Sequence, residues 1–130
     1  MTVHARLKAA IAAPSLYDVT LELLTRQGFD LDEARAAQSP DSPHSPHAAI
    51  EAAWAMIYRD PESHWPLYEL GEKLVDFEDY FRRWRFNHVT TVERIIGAKP
   101  GTGGTAGVPY LRRMLDTRLF SELWSVRTGL

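Results

Sequence analysis

Apolar side chains in this chain recur at three- and four-residue steps, the period of an amphipathic α-helix, and no segment alternates apolar and polar positions with the turn chemistry of a strand. The pattern predicts an all-α fold. Residues 2–12 are rich in Ala, Lys and Arg, and Pro14–Ser15 then separates a first helix from a second. Over 15–27, Leu16, Val19, Leu23 and Leu24 mark one apolar face, with Gly28 as its end. From Gln38 to His47 the breakers Pro40, Pro43 and Pro46 alternate with Ser39, Ser42 and Ser45, which predicts an exposed loop. The run AAIEAAWAMIYR from Ala48 to Arg59 is a third helix with Ile50, Trp54 and Ile57 on one side, and Asp60-Pro61-Glu62 carries the signature of a new helix start.

The most informative element comes next. Leu67, Leu70, Leu74, Phe77, Phe81, Trp84, His88, Val92 and Ile95 follow one another at steps of 3, 4, 3, 4, 3, 4, 4 and 3, a single stripe along one helix. Gly97 should end it, so the helix is expected over about residues 61–97, roughly 50 Å at 1.5 Å per residue. A seam of that length predicts a helical bundle around one long central helix, and a core that a second chain completes. Ala98 to Val108 contains Gly101, Gly103, Gly104, Gly107 and Pro100 and cannot continue the helix. Pro109 to Arg118 and Leu119 to Val126 then read as two short closing helices, and no internal repeat is visible.

Composition narrows the chemistry. A length of 130 residues suits a single domain, here expected over 1–130, and apolar and charged fractions of 45% and 25% are those of a globular protein. A net charge of -2 gives no broad field for phosphate backbones, so no nucleic-acid partner is expected. No cysteine is present, which excludes disulfides, thiolate zinc sites, iron–sulfur clusters and thiolate-ligated haem. His4, Arg6 and Lys8 interrupt the first apolar stretch, and no run of about 18 apolar residues occurs, so neither a signal peptide nor a membrane span is expected and a cytoplasmic location follows.

Three groups of residues carry possible chemistry. His88 occupies a stripe position where Leu, Phe or Trp would be ordinary, so its imidazole is expected to point inward. Two accounts meet that pattern. One is a core histidine hydrogen-bonded to a neighbouring helix. The other is a metal or haem ligand, for which the apolar wall of Phe81, Trp84, Val92 and Ile95 suits a flat porphyrin. Arg82, Arg83 and Arg85 precede it, with Arg94, Arg112 and Arg113 beyond. Most are expected to be a solvated face paired with Glu78 and Asp79, while one or two have the forked geometry that grips a carboxylate such as a haem propionate, Arg85 among them. The segment Gly101-Thr102-Gly103-Gly104-Thr105-Ala106-Gly107 presents backbone N–H groups suited to an anion, or is a plain linker. It is neither a P-loop nor a dinucleotide fingerprint. His44 and His47 are expected to be solvated loop residues rather than a metal pair.

Taken in order, Trp84-Arg85-Phe86-Asn87-His88, Val92-Glu93-Arg94-Ile95-Ile96-Gly97, Gly101-Thr102-Gly103-Gly104-Thr105, Tyr110-Leu111-Arg112 and Glu122-Leu123-Trp124-Ser125-Val126-Arg127-Thr128 closely resemble the tryptophan 2,3-dioxygenase family. Ala13-Pro14-Ser15-Leu16-Tyr17 and Glu72-Lys73-Leu74-Val75-Asp76 extend the likeness over nearly the whole chain, as the C-terminal half of a family enzyme. The resemblance implies a helical, homotetrameric protein that binds haem b and inserts both atoms of O₂ into the indole 2,3 bond of tryptophan. It makes His88 the proximal iron ligand and Thr102, flanked by Gly101 and Gly103, the loop threonine that contacts the substrate's amino-acid backbone. The family's distal histidine and its carboxylate-gripping arginine belong to the N-terminal half, which implies that a second copy or a partner subunit supplies that side. Ser121 and Ala106 depart from the usual proline and serine. The expected function is a haem-dependent oxygenase acting on tryptophan or a related aromatic, and the alternative is a haem-binding or gas-sensing module without turnover.

Overall fold

A computed structural model describes residues 2–39, 42–97, 99 and 107–130. Every regular element among them is helical: α1 Val3–Ala12, α2 Leu16–Arg26, α3 Asp32–Ala36, α4 Ala48–Arg59, α5 Trp65–Ile96, α6 Val108–Met114, α7 Ser121–Ser125 and a closing 3₁₀ turn Val126–Gly129. No described helix is both long and apolar enough to cross a membrane.

Local chemistry accounts for most boundaries. Thr2 and Ser15 cap α1 and α2 with their side-chain oxygens, and at α2 the Asp18 carboxylate accepts in return from the Ser15 backbone, a full capping box. Gly28 and Gly97 take the left-handed conformation, with φ of 101° and 59°, just past α2 and α5, where a side chain would be strained. The long helix starts one turn later than its sequence suggests. Residues 61–64 form a separate turn in which the Asp60 carboxylate accepts from the Ser63 N–H, and the first α-type bond runs from the Tyr68 N–H to the His64 carbonyl. The short helix α3 was not legible, because five residues carry too little periodicity to register.

The chain divides into two compact units, residues 1–71 with 119–130 and residues 72–118. In the first, α4 packs on α7 and the 3₁₀ turn, and α2 on α3, around a core that includes Leu24, Ile50, Trp54, Ile57 and Leu123. The buried side of α2 is Tyr17, Thr20, Leu21 and Leu24, whereas Leu16 and Val19, expected to face inward, are about half exposed. The two apolar sides of α2 cannot be ranked by hydrophobicity alone. Gly71 of α5 passes so close to α4 that an added Cβ would lie 2.8 Å from the Tyr58 hydroxyl and 3.1 Å from the Trp54 ring.

In the second unit, polar contacts among the described residues join α5 to α6 and the turn that follows it. Arg85 donates from one terminal nitrogen to the Met114 and Thr117 carbonyls at 3.2 and 3.1 Å, and Arg112 pairs with Glu93. The side of α5 that is buried runs through Leu74, Glu78 and Val89. The neighbouring side, Phe77, Trp84, His88 and Ile95, is exposed.

Candidate functional site

The exposed side of α5 is a ladder of parallel rings. Phe77 and Phe81 lie 6.3 Å apart at 3°, Phe81 and Trp84 5.9 Å at 7°, and Trp84 and His88 5.0 Å at 5°. Helical steps of three and four residues bring each ring over the turn before it, which is why these positions stack in sequence. Trp84 remains 58% exposed and Ile95 75%, with Val92 between them half-buried, so large apolar surface faces outward here. An exposed apolar stripe on a helix marks a binding surface more often than scattered exposed residues do.

His88 ends the ladder. Its imidazole is exposed, contrary to the inward orientation that its stripe position suggests, because the core position on this turn is taken by Val89 at 3% exposure. Neither imidazole nitrogen has a hydrogen-bond partner among the described residues. The ordinary alternative, a core histidine bonded to a neighbouring helix, therefore has no counterpart among the described residues of this unit. Beside the ring lies a shallow depression of about 220 Å³, lined by Trp84, Arg85, His88, Val89, Leu111 and Met114. Sites that enclose a whole small ligand span about 300–1,000 Å³, so this depression forms one wall rather than a closed pocket. Leu111 and Met114 fall within the first of the two short closing helices that the sequence predicts, but their place beside His88 leaves no mark in a periodicity.

The other anticipated residues are distributed as follows. Arg85 is half-buried, with its guanidinium carbon 4.5 Å from the Phe81 ring centroid and one nitrogen committed to the two α6-end carbonyls. Arg83 pairs with Asp79 on an exposed stretch, as a solvated face requires, while Glu78 is fully buried. Gly101, Thr102 and Gly103 lie outside the described residues.

A second polar cluster was not anticipated. Glu122, 2% exposed, accepts from the Tyr17 hydroxyl at 3.0 Å and from the His47 backbone N–H at 3.1 Å. Burial, followed by the charge of Glu122 and the hydrogen bond to it, pushes the Tyr17 hydroxyl well above its ordinary 10.0. Rather than being solvated, His47 caps α4 by accepting the Ala49 N–H on Nδ1, and His44 stacks on Tyr17 at 4.0 Å. These contacts moor the Ser/Pro-rich loop. The available signal was Glu122 itself, a charge between the apolar residues Phe120 and Leu123-Trp124.

The sequence comparisons converge on one family. The family model described as tryptophan 2,3-dioxygenase matches residues 15–130. A tryptophan 2,3-dioxygenase of Bradyrhizobium sp. (strain BTAi1) is 63% identical over 126 residues, which cover 97% of this chain and 45% of the relative. That of Bradyrhizobium sp. (strain ORS 278) is 60% identical over the same length and coverage, and that of Burkholderia pseudomallei (strain 668) is 57% identical over 128 residues, 98% of this chain and 42% of the relative. This chain thus spans less than half the length of these relatives and matches their C-terminal part. With regular elements that are all helical among the described residues, one long helix and a match over nearly its whole length, the chain belongs to the tryptophan 2,3-dioxygenase family.

Proposed function

We propose that this chain forms the proximal half of a haem-dependent oxygenase site, in which His88 would hold the iron. The observation that carries this is the His88 imidazole, which is exposed at the end of a parallel aromatic ladder and has both nitrogens without a partner among the described residues. A ligand imidazole needs one nitrogen free and an apolar surface on which the macrocycle can lie. Trp84 and Val92, one turn to either side of His88, supply that surface, and Leu111 and Met114 extend it. Haem iron takes a single imidazole from the protein, and His88 is the residue that would provide it.

When bound, haem b would supply the iron that activates dioxygen for insertion of both oxygen atoms into the 2,3 bond of an indole, tryptophan in the relatives' name. The parts assigned to this chain are binding and orientation. His88 would hold the iron, Trp84 would keep water from the imidazole face, and Thr102, between Gly101 and Gly103, would contact the amino-acid end of the substrate. A one-sided wall leaves the opposite face to be completed by a second copy or a partner subunit, with residues 1–130 as a single haem-binding domain of that assembly. Orientation of an indole depends on walls and charges on both faces, so turnover is more sensitive than haem uptake to that other half.

Reduced, haem-loaded protein tests both levels. Carbon monoxide binding together with a spectral shift on adding L-tryptophan, and loss of the amino acid under oxygen, bears out the oxygenase. Carbon monoxide binding with no response to tryptophan replaces it with a haem-binding or gas-sensing module. Protein that takes up no haem removes both.

A further inference from the structure

Arg85 has the composition of a propionate partner but the geometry of a brace. Helix α6 ends at Met114, where the last carbonyls have no partner within the helix, and Arg85 donates to two carbonyls at that end, those of Met114 and Thr117. With both bonds drawn from one nitrogen, the plane of the guanidinium is set, and its carbon lies 4.5 Å from the centroid of Phe81. Phe81 is parallel to Trp84, and Trp84 to His88. An unbroken chain of contacts thus runs from the backbone at the end of α6 to the imidazole. Exposed aromatic side chains on a helix ordinarily exchange between rotamers, yet Phe81, Trp84 and His88 share one plane orientation to within 7° per step, and Phe77 continues it at 3°.

We propose that Arg85 is a positioning residue for His88: it fixes the tilt of the imidazole through the Phe81–Trp84 stack, rather than holding a cofactor carboxylate. The haem-bound part of this inference rests on His88 being the iron ligand, whereas the ring geometry belongs to the chain alone. A lysine keeps the charge but offers neither a flat face for Phe81 nor two donors in one plane, so Arg85→Lys separates bracing from simple charge.

The test has two arms. In haem-free protein the His88 ring protons are displaced by the Trp84 ring current. Arg85→Lys and Arg85→Met are both expected to move them toward the values of a Trp84→Leu variant, with helix content by circular dichroism unchanged. In reduced, haem-loaded protein both variants are expected to shift and broaden the iron–imidazole vibration and to weaken haem binding about tenfold, as loss of an outer partner of a metal ligand does. Ring-proton shifts that stay at wild-type positions in Arg85→Lys would overturn the proposal. So would wild-type haem affinity in Arg85→Lys beside a loss in Arg85→Met, the pattern of a plain cation on a carboxylate. Should Arg85→Met fail to fold, Phe81→Leu breaks the same chain while sparing the α6 carbonyl bonds, and unchanged His88 shifts there would also overturn it. Failure of the iron-ligand reading looks different: the ring shifts respond to Arg85, but His88→Ala leaves haem affinity intact.

Discussion

His88 and Val89 are consecutive on α5 yet differ completely in environment, the imidazole exposed and its neighbour 3% exposed within the core. One residue of offset separates the position that holds the unit together from the position available to a ligand. Val89→Ala is therefore expected to cost about 1–3 kcal/mol in urea unfolding, as truncation of a buried aliphatic side chain does. His88→Ala should stay within about 0.5 kcal/mol. Equal destabilisation by the two would place His88 in the core instead.

Tyr17 and Glu122, 105 residues apart, form a buried polar contact in the first unit. Removing the hydroxyl leaves the carboxylate short of a donor, so Tyr17→Phe is expected to cost about 1.5–3 kcal/mol. Because folding raises the pKa of Tyr17, its contribution is fully present below the ordinary value of 10.0 and falls as pH rises beyond it, where the unfolded chain has already released the proton. Urea unfolding between pH 9 and pH 11 should show stability declining above about pH 10 at up to about 1.4 kcal/mol per pH unit from this group. The decline should be shallower in Tyr17→Phe, and identical slopes would contradict the coupling.

Gly71→Ala sets two effects against each other. Alanine favours a helix interior by about 1 kcal/mol, but its Cβ would press on the Tyr58 hydroxyl and the buried Trp54 ring, and overpacking costs about 1–3 kcal/mol. A net loss is expected. Adding Tyr58→Phe removes the nearer atom and should recover part of it in a double-mutant cycle. A stabilised Gly71→Ala would mean that the helices separate at little cost.

The Arg112–Glu93 pair is about half exposed at both ends, so it should matter little. Arg112→Ala is expected to change stability by less than about 1 kcal/mol, and less again in high salt. A larger loss would show that this contact, and not Arg85 alone, holds α6 to α5.

Much of this architecture was legible because helix caps and breakers act locally. Ser15 with Asp18, and Gly28 and Gly97, set ends that match the chain's own punctuation, and α4 runs over the same residues as its apolar run. What the pattern could not resolve was which of two apolar sides a helix buries. On α2 and on α5 a second side of similar hydrophobicity lies next to the buried one, and Leu16, Val19, Trp84 and Ile95 are left outward. At the candidate site, the residue type and spacing around His88 were visible, but the partners of Arg85 were not, because backbone carbonyls 29 and 32 residues away leave no mark in a periodicity. For the same reason the contacts of Glu122 with Tyr17 and with the His47 N–H could not be anticipated.

Iron ligation by His88 is read by titrating haem into wild-type protein and into His88→Ala while following the Soret absorbance. Wild type should bind with the spectrum of an imidazole-ligated haem, and His88→Ala should lose that spectrum together with at least about tenfold of the affinity, without loss of helix content. An unchanged affinity and spectrum in His88→Ala would contradict the account.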